Sequence, residues 1–493
     1  MKNQPPLLKS KFFWIGIFYF AEGFPLGVFY DVFPVHFRQQ GVDLWKIGFM
    51  SLLGLSWTIK FLWAPAIDYF RHHRKWIFGM DMLMGGVLLL FALWVDFGPW
   101  VWVAIGLFTL FSATSDIAID AYTIEMLEKK ELGMANGLRN GFYRVGMLAA
   151  GFILILSDWL GWAATYMAGA GILACCGMIC LFAPDEKQIN TRSSISVRQE
   201  WKNLASHPMA VLGVYFIFLG VLRLVDLKTG ILSSSPYLWP FLLLSGGVLY
   251  GAAVIFYSSS AKRTDNETKA RLKEGPVFGA IFELLQRPYI IPIIIFILIF
   301  KLADTSMGFM VKPFWVDTGF SASQIGLVSV QIGLGLSIAG GLVGGWYTDR
   351  AGIFKAIWVL GLWQALSNLG YAYVASVIPL AESGIPLTAD SKILMYSASV
   401  LESFTGGLGS AAFLAFLMAI VNQRRSAAEY ALLSSIFAFS RSVAGWAGGF
   451  GAHAMGYAPY FLLTFFLAFP AYFFLPWVKK MLAWSEGENR GSG

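Results

Sequence analysis

Apolar runs of about 20 residues recur from one end of this 493-residue chain to the other. As a helix, a run of that length crosses the roughly 30 Å hydrocarbon core of a bilayer. Inside hydrocarbon every backbone polar group must be bonded internally, so such runs fold as helices packed on one another. Composition points the same way. Charged residues make up 13% of the chain, about half the roughly 25% usual in soluble domains. That shortfall excludes a cytosolic enzyme, a nucleic-acid-binding module and a disordered scaffold. The expected class is therefore an all-α, polytopic membrane protein.

The spans read as 12–37, 46–70, 76–95, 100–127, 134–157 and 160–183, then 209–227 and 236–257, then 288–314, 324–347, 355–380, 392–421, 427–452 and 458–483. That makes about 14 transmembrane helices, each of bilayer-spanning length. Three regions follow: 1–183, a linker 184–287 that carries the inserted pair 209–257, and 288–493. With the N-terminus inside, alternation leaves 26 Lys and Arg on inner segments, 5 on outer ones and 5 within spans. This bias predicts that both termini are cytoplasmic. The first apolar run lacks a small-residue cleavage site and reads as a retained helix. Cys175, Cys176 and Cys180 share one apolar segment, which suits neither a disulfide framework nor a metal site.

The two outer regions repeat each other. Segment 45–68 begins Trp45-Lys46-Ile47-Gly48 and ends at Asp68; segment 323–349 begins Ser323-Gln324-Ile325-Gly326 and ends at Asp349. Segments Gly133 to Gly151 and Tyr430 to Gly448 also match, with Arg144 and Arg441 at equivalent places. Two parallel six-helix halves are the plan of the major facilitator transporters. The run Gly345 to Lys355 resembles that superfamily's G-x-x-x-D-R-x-G-x-x-K loop, with Asp349 and Arg350 in the signature positions. Asp349 is placed to meet a helix N-terminus or a basic residue. The first-half copy, from Asp68 to Lys75, is degraded and longer.

An ionisable residue inside the membrane costs about 2.5–3.5 kcal/mol, so each one needs a reason. The acids are Glu22, Asp116, Asp120, Asp304 and Glu402, on helices 1, 4, 4, 7 and 10 of a twelve-helix core. The bases are Lys60, Arg144, Lys301 and Arg441. Asp116 and Asp120 are four apart and share a helical face. Two such carboxylates should not both ionise readily, so one is expected to hold a proton, as proton coupling requires. The alternative is that each acid pairs with Arg144 or Lys60 and only fixes packing. Lys301 and Asp304 are three apart and can pair locally. Glu22-Gly23-Phe24-Pro25 is expected to break helix 1 and open backbone groups to a cavity. Gly406-Gly407-x-Gly409 reads as close packing. Gln364, Ser367 and Asn368 form a polar patch for either interhelical bonds or a solute. Trp57, Trp63 and Trp363 suit a core or belt role, or stacking on a sugar ring.

Enzyme motifs are missing from the sequence: it has no Walker loop, no G-x-S-x-G elbow and no H-E-x-x-H. Without a nucleotide site, transport would run on a gradient, with the proton as coupling ion and no other cofactor. At finer grain the chain resembles the AmpG-type muropeptide permeases. The resemblance rests on Gly48-Phe49-x-Ser51-Leu52-x-Gly54 through Lys60-Phe61-Leu62-Trp63-x-Pro65-x-x-Asp68, on Ser115-Asp116-Ile117 through Asp120-Ala121, and on Arg144-x-Gly146-Met147. In the second half it rests on Lys301-Leu302-x-Asp304, Gln364-Ala365-x-Ser367-Asn368, Glu402 with its glycines, and Tyr430 to Ser434 with Arg441.

The resemblance implies a bacterial inner-membrane importer. It would carry N-acetylglucosaminyl-anhydro-N-acetylmuramyl peptides from periplasm to cytoplasm for cell-wall recycling, driven by protons. Its partners would be that sugar-peptide and membrane lipid, with no nucleic acid and a monomer as the expected unit. Asp116, Asp120, Glu22, Asp304 and Glu402 would serve coupling. Lys60, Arg144, Lys301, Arg441, Gln364 and Asn368 would bind solute. Asp68, Asp349 and Arg350 would form the gating loops. Another bulky anionic solute such as acetyl-CoA is the near alternative, and a membrane enzyme or sensor the distant one. The inserted pair 209–257 departs from the family's minimal core.

Overall fold

The computed structural model describes residues 10–60, 63–64, 67, 72–93, 100–126, 132–184, 284, 287–421 and 426–491, except the side chains at 124–125, 132–138, 140, 426–431 and 486–491. The chain divides into two compact units, Met1–Gln188 with Pro288–Gly493, and Ile189–Arg287. The expected pair 209–257, nearly all of its linker and Asp68 lie outside the described residues.

The first unit is built of twelve long helices among the described residues. They are α1 (Lys11–Gln39), α2 (Leu44–Ile59), α3 (His73–Leu93) and α4 (Trp100–Met126). Leu132–Cys180 is broken at Gly161 into α5 (132–160) and α6 (162–180). Then come α7 (Ile290–Asp317), α8 (Ala322–Ala351), α9 (Ile353–Val377), α10 (Ala389–Ala419), α11 (Ser426–Met455) and α12 (Tyr457–Ser485). Eight stretches are long and apolar enough to cross a membrane, the one holding α5 and α6 counted once.

The repeat seen in the sequence extends to backbone angles. Gly161, between α5 and α6, has φ 78° and ψ 171°; Gly456, between α11 and α12, has φ 77° and ψ 170°. Only glycine adopts that region without strain. Equivalent turns in the two halves thus stop their helices by the same device.

Glu22-Gly23-Phe24-Pro25 does not break α1, contrary to the sequence expectation. The helix runs on through Pro25 and widens to a π turn over Val28–Val32. The Val28 N–H is shared between the Phe24 and Pro25 carbonyls, where the α-helix passes into the π turn. The helix break falls in α7 instead, at Lys301, between Ile290–Phe300 and Leu302–Asp317.

Small residues set the packing, as expected where no hydrophobic force drives helices together. Gly23 of α1 faces the Tyr143 carbonyl of α5, and Gly407 of α10 faces the Ser337 carbonyl of α8. The halves meet along two matching seams. In one, a Cβ on Gly48 of α2 would stand 2.6 Å from the Gly449 Cα of α11. In the other, a Cβ on Gly326 of α8 would stand 3.0 Å from the Gly151 carbonyl of α5. Gly48 and Gly326 are the glycines of the sequence repeat. Hydrogen bonds follow both seams: Ser51 Oγ donates to the Ser442 carbonyl (2.6 Å) and Gln331 Nε2 to the Leu148 carbonyl (2.7 Å).

Candidate functional site: charged clusters around a cavity between the halves

In the first half, α1, α2, α4 and α5 bring five ionisable side chains together. Lys60 Nζ lies 3.6 Å from Asp116 Oδ2. Arg139 Nη2 lies 3.2 Å from Asp120 Oδ1, which also accepts from the Tyr19 hydroxyl at 2.9 Å. The Arg139 guanidinium covers the Tyr19 ring at 4.9 Å. Asp120 therefore pairs with Arg139, not with Arg144 as the sequence alternative had it. Arg139, which the sequence reading did not single out, sits in α5. No hydrogen bond or ion pair joins Arg144 to a described residue. Glu22 is buried among these charges, and its Oε2 has no hydrogen-bond partner. Asp116, Asp120, Arg139 and Lys60 all act on it through space. The cluster thus holds three acids and two bases, and Glu22 is the acid without a base.

In the second half, the break in α7 aims Lys301 inward. Its Nζ donates to Gln364 Oε1 (2.7 Å) and Ser410 Oγ (3.0 Å) and lies 3.5 Å from Asp304 Oδ2. Asn368 Nδ2 donates to Thr464 Oγ1 at 3.3 Å. The polar patch on α9 is thus tied into interhelical bonds. Two of its atoms, Gln364 Nε2 and Asn368 Oδ1, stay buried without a partner. Gly409 is pressed against Gln364, whereas a Cβ on Gly406 would stand 3.8 Å from Glu402 Oε1.

Between the halves lies a cavity of about 340 Å³, toward the lower end of the range of about 300–1,000 Å³ typical of ligand pockets. Asp31, Asp304, Lys312, Glu402 and Arg441 stand in its wall. Lys312 Nζ pairs with Asp31 Oδ1 across the halves at 3.2 Å. The sequence reading had singled out neither Lys312 nor Asp31. Both sit within helices, and Asp31 is aimed by the π turn of α1. Arg441 covers the Tyr30 ring at 4.7 Å and has no carboxylate partner among the described residues. Tyr30 in turn stacks on Trp57. Trp57 and Trp63 donate to Ser112 and Thr114, while Trp363 is exposed, as a lipid-belt residue would be.

Asp349 and Arg350 are not in this cavity. Both are exposed at the end of α8, where the Arg350 guanidinium covers the Trp346 ring at 4.6 Å, and no bond joins Asp349 to a described residue. Asp81, on α3, is a further buried acid that the sequence reading passed over. Its Oδ1 accepts from Ser115 Oγ at 3.4 Å and its Oδ2 has no partner. The signal was present, since an aspartate stands inside the apolar run 76–95.

The Lys60–Asp116 pair gives a prediction. Lys60→Met leaves a desolvated carboxylate without its cation, while Lys60→Met with Asp116→Leu removes both charges. The single variant is expected to lose about 2 kcal/mol, discounted from the usual 3–5 because Lys60 is part-exposed. The double variant should lose less. Thermal unfolding in detergent checks this, and a double variant no more stable than the single one would mean that the bared Asp116 charge is not what destabilises Lys60→Met.

A bundle of two repeated six-helix halves, with charged side chains converging on a cavity between them, is the major facilitator fold. The proteins that this chain resembles are permeases and transporters rather than enzymes. Residues 52–228 match the family model of the Major Facilitator Superfamily. A peptide transporter of the POT family superposes with a TM-score of 0.63 at 14% identity, over 96% of each chain. The resemblance to AmpG-type permeases extends over nearly the whole length. The anhydromuropeptide permease of Escherichia coli K12 is 24% identical over 95% of this chain and 79% of its own. A transporter of Rickettsia conorii designated AmpG 4 is 23% identical over 95% of this chain and 96% of its own.

Proposed function

We propose that this protein imports anhydromuropeptides from the periplasm across a bacterial inner membrane, driven by protons, with both termini in the cytoplasm. The observation that carries the reading is the unpaired Arg441 in the wall of the cavity between the halves. An uncompensated guanidinium in a low-dielectric cavity is completed by a carboxylate or phosphate on the solute. The named relatives supply the solute class: the Escherichia coli protein is a permease for anhydromuropeptides. Glu22 is the coupling residue in this reading. Asp116 and Asp120 each have an ion pair, and Glu22 has none among the described residues. A proton on Glu22 brings the five-residue cluster to neutrality.

The ion pairs Lys312–Asp31 and Arg38–Asp317 join the halves near the α1–α2 and α7–α8 turns, which the charge bias puts outside. Ion pairs at that end suit a posture open toward the cytoplasm, one that an importer passes through as it releases its solute. The experiment is uptake by purified protein in liposomes, with labelled N-acetylglucosaminyl-anhydromuramyl tripeptide or acetyl-CoA, with and without an inward proton gradient. Gradient-dependent accumulation of the sugar-peptide alone is expected. Transport of acetyl-CoA, or of neither, would end the muropeptide reading. Arg441→Gln should raise the half-saturating sugar-peptide concentration by about tenfold, the loss of one charge-assisted contact of about 1.5 kcal/mol. An unchanged value would remove Arg441 from the binding site.

A further inference from the structure

A second and larger cavity, of about 700 Å³, opens at the α1–α2 end of the bundle, above the closed seams. Its wall carries Arg38, Asp43, Asp317, Glu382, His453 and Tyr457. Most of these groups are already satisfied. Asp43 Oδ2 is held by Lys46 Nζ at 2.8 Å, and that cation keeps the Asp43 carboxyl below the usual range. Asp317 accepts from Arg38 Nε through one oxygen and from the Tyr457 hydroxyl, at 2.6 Å, through the other.

Besides the exposed His453 imidazole, two groups are left with unused capacity. Arg38 has five N–H donors. Nε is spent on Asp317, Nη1 donates to the Val42 carbonyl at 2.9 Å, and the guanidinium also reaches the Tyr457 hydroxyl, which leaves N–H donors over. Glu382, exposed in the turn between α9 and α10, has no cation partner among them. It is close enough to Arg38 for their charges to interact. One wall therefore offers free guanidinium donors and another a free carboxylate, within a space large enough for a peptide end.

We propose that this outer cavity is a loading site for the zwitterionic end of a peptide-bearing solute, its carboxylate on Arg38 and its ammonium on Glu382. The assignment of peptide as the solute's part rests on the function proposed above; the cavity and its two open groups do not. Lone anions meet the neighbouring carboxylates of Asp317 and Glu382, and lone cations meet Arg38. A solute that carries both charges satisfies both walls. The cavity thus selects the peptide end of the solute, and the inner cavity, with Arg441, receives it after the halves reopen.

The test uses the full chain in nanodiscs, with Cys175, Cys176 and Cys180 replaced by Ala and an environment-sensitive fluorophore on Ala381→Cys in the cavity wall. The probes are a free tripeptide with charged ends, the same peptide with both ends capped, and the peptide-free disaccharide. Saturable binding of the charged tripeptide is expected, at least tenfold weaker after Arg38→Gln or Glu382→Gln and at least tenfold weaker for the capped peptide. Glu382 is exposed and holds no structural bond, so its variant guards against a fold defect in Arg38→Gln. Half-saturation within twofold across the wild type and Glu382→Gln, equal binding of the capped peptide, or no saturable signal would overturn the proposal. Uptake of the labelled sugar-peptide by the same preparation separates the two readings. Uptake without outer binding removes the loading site alone. Outer binding without sugar-peptide uptake removes the muropeptide assignment and leaves the loading site standing.

Discussion

Glu22→Gln is expected to abolish uphill accumulation of solute while downhill exchange continues. The substitution is nearly isosteric, so α1 keeps its packing against α5. The five-residue cluster then carries two acids and two bases, Asp116 on Lys60 and Asp120 on Arg139, and is neutral without a proton. A permanently neutral cluster no longer needs to load or release one. One pH unit is worth about 1.4 kcal/mol, or tenfold in concentration for each proton moved. Under an inward gradient of about one unit, a one-proton carrier should therefore concentrate solute about tenfold, and the variant should stop at a ratio near one. Accumulation in liposomes measures the first quantity and counterflow of labelled solute the second. Wild-type accumulation by the variant would exclude Glu22 from coupling. Loss of counterflow as well would assign it to binding.

Gly23→Ala, one residue along, should be the most damaging single methyl group in the molecule. A Cβ there falls inside van der Waals contact with the Tyr143 carbonyl, and backbone cannot move aside as a side chain can. Overpacking of a fixed core typically costs 1–3 kcal/mol, and the upper end, about 3, is expected here. A matched control is available in Gly86→Ala on α3, where nothing lies within 4 Å. That variant should be neutral or more stable by about 0.5 kcal/mol, because alanine favours helix. Thermal unfolding of the two purified variants makes the comparison. A Gly23→Ala protein as stable as Gly86→Ala would mean that α1 and α5 slide apart freely.

The fold was legible because the membrane imposes simple rules. Span length, basic-loop bias and the Gly48/Gly326 repeat required no knowledge of tertiary contacts, and they located the ends of the described helices to within a few residues, the far end of the span 46–70 lying mostly outside the described residues. The residues of the site were legible for the same reason. Glu22, Asp116, Lys301 and Glu402 are costly in an apolar run, so each stood out. Their partners were not. Arg139 and Lys312 lie where a helix end and a loop look alike in sequence, and both read as ordinary topology signals. Pairs such as Lys312 with Asp31 join residues of different halves, and no local pattern encodes such a meeting. The path of α1 through Pro25 was also hidden, because Gly23 and Pro25 read as a break unless packing against neighbouring helices is known.

Glycine brings the two seams between the halves to close approach: Gly48 lies on Gly449, and Gly326 lies on Gly151 with the Ile155 side chain beside it and Val330 and Gln331 reaching over Gly151. Side chains that cross the seams, Ser51 and Gln331, hold to backbone carbonyls. Each glycine is a missing tooth, a notch that seats the ridge opposite. A single bulky residue on a seam would then work as a doorstop, holding the carrier in one posture without touching any group that meets the solute.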